Sequence, residues 1–210
     1  MNFFPKYYKP VMFKKYRYSP VLVFVFCLFI TLPGFAQSMK SKGAAAPMFT
    51  AKASQAGSEF EFSLKKALAK GPVVLYFYPA AYTGGCDLEA HTFAELKDKF
   101  TAAGATIIGV SADDIQRLNS FSSDPNYCAG KFPVASDPNG KIAATYGLTL
   151  VPPQPGVKDV RGKQVTHGFI PRTTFVINKK GIIVATFSSK KDHITPDEHV
   201  KKALAIVKGL

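Results

Sequence analysis

The chain has 210 residues, of which 47% are apolar, so one domain with a sizeable core fits and wholesale disorder is excluded. Three cysteines exclude a disulfide-rich scaffold. The net charge of +13 is inflated by a basic N-terminal segment that has the marks of a removable leader.

Residues 1–20 carry Lys6, Lys9, Lys14, Lys15 and Arg17 and no acid. The apolar run Val21–Leu32 follows, then Pro33, Gly34, Phe35 and Ala36. A basic start, a short apolar run and small residues at Gly34 and Ala36 describe a secretory signal peptide over 1–36, cleaved after Ala36. As a helix the run spans only ~18 Å, short of a ~30 Å hydrocarbon core. An uncleaved anchor is the alternative. With cleavage, no stable membrane insertion is expected, and the protein is exported to a periplasmic or equivalent compartment.

The remainder has 22 basic and 14 acidic residues, a net +8, and two cysteines, Cys86 and Cys128. Its lysines fall in scattered pairs without an arginine-rich run or basic–aromatic interleaving. Nucleic acid is therefore excluded as a partner.

Residues 37–48 are small and polar and are expected to form a flexible linker before a domain over 49–210. Phe49–Phe62 alternates around Gln55-Ala-Gly57, which predicts an N-terminal β-hairpin. Ser63 is placed to cap a helix over Leu64–Ala69. Val73–Tyr78 is a continuous apolar run of β-formers, as expected for a strand buried on both faces. A helix is predicted over Cys86–Ala103 and a second buried strand over Ala105–Val110. Ser111 or Asp113 is expected to cap the next helix, which Pro125 stops.

A short strand over Phe132–Ala135 and a short helix from Asn139 to Tyr146 come next. Leu148–Gly168, with three prolines and no periodicity, is expected to be a long loop. Thr173–Ile177 and Ile182–Phe187 flank a turn and predict a hairpin. Pro196 then opens the last helix. Alternating βα units followed by an antiparallel hairpin give an α/β class, with a mixed central sheet and helices on both faces.

Cys86 stands where a buried strand and a glycine-containing turn give way to a helix. Unpaired N–H groups at a helix start favour thiolate over thiol. Lowering a cysteine pKa from ~8.5 to ~6 takes ~3.4 kcal/mol of preference for the anion. A helix end supplies at most ~2 kcal/mol, so further donors or a cation are required.

The segment Pro79-Ala-Ala-Tyr-Thr83-Gly-Gly85-Cys86 has Pro-x-x-x-Thr-x-x-Cys spacing, and Glu89 follows. Further on come Gly109-Val-Ser-Ala-Asp113, Phe132–Asp137 and Arg172–Ile177. Together these resemble the peroxiredoxins, most nearly the peroxiredoxin Q or bacterioferritin-comigratory branch, from about Phe49 to Leu210. The resemblance implies a thioredoxin-like fold and a thiol-dependent peroxidase for hydrogen peroxide and organic hydroperoxides. It implies no cofactor, a thioredoxin-like or other thiol reductant, and a monomer or weak dimer.

Under that resemblance Cys86 is the peroxide-reactive thiol, Thr83 hydrogen-bonds the peroxide, and Arg172 lowers the thiol pKa. Pro79 shields the sulfur, Glu89 orients Arg172, and the N–H groups of Gly85 and Cys86 donate to peroxide oxygens. Many members of the branch carry a second cysteine five residues after the first, where this chain has His91. That departure leaves Cys128 as the internal partner for a disulfide, or a one-cysteine cycle closed by an external thiol. The helix after the second strand is expected to carry Cys128 away from Cys86, into a mobile loop at 126–130.

Two other functions are weighed against this. A thioredoxin-like disulfide reductase favours Cys-x-x-Cys, and the third residue after Cys86 is Glu89. A copper-binding chaperone of the same fold pairs cysteines four apart, and that position is Ala90. His167, His193 and His199 are expected to be surface or packing residues.

Overall fold

The computed structural model describes residues 38–210, so the expected leader lies outside the described residues. The hairpin β1 (Thr50–Gln55) and β2 (Ser58–Ser63) comes first, then α1 (Leu64–Lys70). Next are β3 (Val73–Phe77), α2 (Gly84–Ala102), β4 (Thr106–Ser111), α3 (Ile115–Ser123), β5 (Val134–Ser136) and α4 (Lys141–Thr145). The chain closes with the hairpin β6 (Thr173–Ile177) and β7 (Ile183–Ser188), the short α5 (Ser189–Asp192) and α6 (Pro196–Val207). The strands form one sheet in the order β2-β1-β5-β4-β3-β6-β7.

The pattern of β3 explains its central place. Its five residues are all buried. Val74 and Tyr76 face one apolar cluster, while Val73, Leu75 and Phe77 face another. β4 pairs with it in parallel and β6 antiparallel, so the sheet is mixed as expected. Apolar residues of α2, α3 and α6 fill the first cluster, and those of α1 and α4 the second, which puts helices on both faces. Each large side chain taken from water this way contributes roughly 1.5–3 kcal/mol.

Local signals act as the sequence suggests at several boundaries. Ser63 caps α1, accepting from the Lys66 N–H at 3.4 Å. Thr195 and Glu198 form a reciprocal capping box around Pro196. The β1–β2 turn holds Ala56 and Gly57 both at positive φ, the twist that a two-residue hairpin demands.

Other expectations are corrected. Asp114, not Ser111 or Asp113, caps α3, with its Oδ1 accepting from the Arg117 N–H at 2.7 Å. α5 is a helical turn that no periodicity announces. Residues 38–48 are not a free linker. Gly43 and Ala46 donate to the carbonyls of Ile183 and Gly181 at 2.8 Å, and Ala45 bridges Ile182. Lys40 donates to the Tyr146 carbonyl at 3.0 Å. Small side chains, which resemble linker composition, are what let this backbone lie against the sheet edge.

Candidate active site

The site forms beyond the carboxyl end of β3, where the turn 79–83 leads into α2. Thr83 is the helix N-cap residue, but its hydroxyl does not cap. It donates instead to the Ala80 carbonyl at 2.7 Å, and from there it acts to lower the Cys86 thiol pKa. Tyr82 sits in the turn at φ 60°, a left-handed conformation rare for a bulky side chain. Pro79 is half-buried and starts the turn.

Cys86 lies in the first turn of α2 and is only 3% exposed. Arg172, just before β6, reaches across from the neighbouring strand. Its Nη2 lies 3.2 Å from Cys86 Sγ, and its Nη1 donates to Glu89 Oε2. Glu89 is fully buried on the same helix. Gly85 is exposed, and a Cβ there would stand 3.2 Å from Arg172 Nη2 and 3.3 Å from Pro196 Cγ. Its lack of a side chain is what admits the guanidinium beside the sulfur.

The electrostatics are a contest between burial and donors. Burial raises the Cys86 thiol pKa, and Arg172, the Ala80 N–H and the Thr83 hydroxyl pull it back down. Burial wins in this closed site, so the expected depression of the pKa is corrected to a net rise. Arg172 stays firmly cationic, because Glu89 and Cys86 outweigh its own burial.

The expected Cys86 N–H donor is also corrected. That N–H is spent on the Thr83 carbonyl at 2.7 Å. The Ala80 N–H, which sequence cannot single out, faces the sulfur instead.

Cys128 is a free thiol, as is Cys86, and it is completely buried. Burial, then Asp124 and Asp87, hold its pKa well above the usual value. It does not lie in a loose loop. Tyr127 and Ala129 donate to the Asp124 carbonyl, Gly130 to Ser122 and Lys131 to Cys128, all within 3.1 Å. Nor is this turn carried away from α2. The His91 ring contacts the Asn126 carbonyl at 3.1 Å, Lys131 Nζ donates to the Ala94 carbonyl at 3.0 Å, and the Tyr127 ring packs 5.3 Å from Tyr82. Cys86 and Cys128 share one apolar cluster.

The AhpC/TSA family matches residues 42–186. The chloroplastic peroxiredoxin Q of Triticum aestivum is 33% identical over 171 residues, covering 81% of this chain and 68% of its own. The chain belongs to the AhpC/TSA family and is a peroxiredoxin, an enzyme with peroxidase activity.

Among solved structures, the Mycobacterium tuberculosis peroxidoxin BcpB superposes with a TM-score of 0.66 at 29% identity, over 81% of this chain and 97% of that one. The bacterioferritin comigratory protein of Xanthomonas campestris gives 0.59 at 27% identity, over 81% and 96%. The fold is therefore the thioredoxin-like fold of the peroxiredoxin Q branch.

The remaining side chains near the turn form a polar cluster. Asp113, Arg117, Asp159, Arg161 and His167 converge behind Ala81 and Tyr82. The signal available in sequence was the Ser111-x-Asp113 pair at the end of a buried strand, where two small polar residues follow an apolar run.

Proposed function

We propose that this peroxiredoxin reduces hydrogen peroxide and organic hydroperoxides through a sulfenic acid on Cys86. The observation that carries this is the Arg172 guanidinium against the Cys86 sulfur, at 3.2 Å. The thiolate sulfur attacks one peroxide oxygen as the O–O bond breaks. Cys86 becomes the sulfenic acid, and the departing alkoxide or hydroxide takes a proton to leave as alcohol or water. Arg172 carries positive charge to that developing anion, and Thr83 offers a hydroxyl to the bound peroxide. Pro79 contributes a turn residue with no N–H.

The Cys128 thiol then attacks the sulfenic sulfur, forming a Cys86–Cys128 disulfide and releasing water. An external dithiol, such as a thioredoxin-like protein, reduces that disulfide and is itself oxidised. Both cysteines are buried and unbonded, so the first turn of α2 and the 124–131 turn both rearrange for the bond to form. The basic, apolar N-terminus supports export, and an extracytoplasmic compartment would permit this cycle.

Steady-state peroxide consumption with a dithiol tests the assignment. Cys86→Ser is expected to abolish turnover, and near-normal turnover in that variant would remove Cys86 from the role.

A further inference from the structure

The turn that aims Thr83 and Cys86 is gripped from behind. Asp113 is fully buried, and its Oδ2 accepts from the Ala81 N–H at 2.8 Å and from Ser111 Oγ at 2.7 Å. Arg117 Nη2 donates to the Ala81 carbonyl at 2.7 Å and pairs with Asp159 at 2.9 Å. Arg117 Nε lies 2.8 Å from Asp113 Oδ1, an ion pair without hydrogen-bond alignment. On the long loop, the Val160 N–H donates to the Tyr82 carbonyl at 2.9 Å. Arg161, bonded to Asp159, places its guanidinium 3.2 Å from the centre of the Tyr82 ring. Three peptide groups of one short turn, Ala81 N–H, Ala81 C=O and Tyr82 C=O, are thus held from α3 and the 148–168 loop.

His167 completes this grip, and its two contacts define its charge. Its Nε2 lies 2.8 Å from Asp113 Oδ1, and its Nδ1 lies 2.8 Å from the Gly168 carbonyl. Both partners are acceptors. Asp113 is an ionised carboxylate, since the Ala81 and Ser111 donors already point at it. A neutral imidazole has one N–H and would leave one nitrogen lone pair facing an acceptor. An imidazolium satisfies both.

We propose that His167 is a positioning residue held as an imidazolium, which fixes Asp113 on the Ala81 peptide and so sets the turn that presents Thr83 and Cys86 to peroxide. It rests on the peroxidase function proposed above, but its protonation state can be read without any turnover.

The charges around His167 agree with this. Burial pulls the His167 pKa down, and the hydrogen bond and charge of Asp113, with the Gly168 carbonyl, raise it past its ordinary value against Arg117. The Asp113 carboxyl is in turn held low, as His167, Ser111 and the Ala81 N–H outweigh its burial. Asp159 and Arg161 lie one step further out, beyond Arg117, and Phe169 packs its ring 6.0 Å away. Loss of the His167 proton sets a nitrogen lone pair against either the Asp113 carboxylate or the Gly168 carbonyl, which loosens the ring from one of its two anchors and relaxes the turn. Attack by Cys86 therefore slows on the alkaline side, even though more thiolate is available there.

The test couples two measurements on the full folded protein. Nitrogen-15 NMR of the reduced wild type is expected to show His167 protonated on both nitrogens at neutral pH. Stopped-flow rates of Cys86 oxidation by hydrogen peroxide, divided by the thiolate fraction measured for Cys86 at each pH, are expected to show an alkaline limb with the pKa that NMR assigns to His167. His167→Gln keeps one donor and does not titrate. It is expected to attack peroxide at least tenfold more slowly near neutral pH and to lack the alkaline limb. A neutral His167 tautomer at pH 7, or a His167→Gln rate profile that overlays wild type, would overturn the proposal. If His167→Gln does not fold, the match between the wild-type limb and the NMR pKa decides alone. Absence of peroxide turnover in wild type would instead overturn the function proposed for Cys86, leaving the NMR result to judge the protonation state.

Discussion

Arg172 Nη2 and Cys86 Sγ lie 3.2 Å apart, although 86 residues separate them in the chain. The pairing of β3 with β6 makes this contact. Phe77 stands opposite Thr173, so the end of one strand and the start of the other meet at the same sheet edge. Arg172 immediately precedes Thr173, and Cys86 opens the helix that leaves Phe77.

Arg172→Met removes the charge beside the sulfur. Loss of about 3 kcal/mol of charge stabilisation corresponds to more than a hundredfold in rate. The pH at which attack sets in should also move up, because the strongest influence opposing burial at Cys86 is gone. Stopped-flow kinetics on a variant of native circular dichroism checks both. A rate within threefold of wild type would reduce Arg172 to a packing residue.

Gly85→Ala tests the steric side of the same contact. The new methyl would crowd Arg172 Nη2 and Pro196 Cγ, both closer than ordinary contact distance. We expect a fall of about tenfold in peroxide attack, from about 1.4 kcal/mol of misplaced charge, with folding retained. An unchanged rate would mean that Arg172 and α6 yield without cost.

The sequence made some of this site legible and hid the rest. Cys86 was visible from its place at a helix start, and Thr83, Glu89 and Arg172 through the resemblance to the peroxiredoxins. The central place of β3 was legible in the buried run Val73–Phe77, whereas the full strand order was not. The Asp113–His167 contact was not visible, since it spans 54 residues and joins an aspartate placed to cap a helix to a histidine in a proline-rich loop. The Ala80 N–H is a backbone group with no sequence signature. Residues 38–48 misled because small side chains serve close backbone packing as well as they serve flexibility.

Cys128 offers a third prediction. Its thiol is fully buried and its pKa is raised, so it should resist maleimide in reduced, folded protein at neutral pH. Labelling should require denaturant or follow the local rearrangement that peroxide triggers. Rapid labelling in the untreated native protein would show that the 124–131 turn opens freely.

His199 predicts how stability depends on pH. It is buried between Thr174 Oγ1 and Ser189 Oγ, each at 2.9 Å. Burial and then Arg172 lower its pKa to about 4. Between an unfolded value near ~6.5 and the folded value, the unfolded chain binds more protons. Stability is therefore full above about 6.5 and is lost as pH falls towards 4, by at most about 3 kcal/mol from this group. Denaturant titrations of wild type and His199→Gln across that window check it. Parallel curves for the two proteins would assign the acid loss elsewhere.

Peptide mass spectrometry of reduced protein after one equivalent of hydrogen peroxide tests the central claim most directly. Cys86 should be the residue oxidised, joined to Cys128 in wild type and held as a trappable sulfenic acid in Cys128→Ser. A Cys86 thiol left intact while the peroxide is consumed would contradict the account.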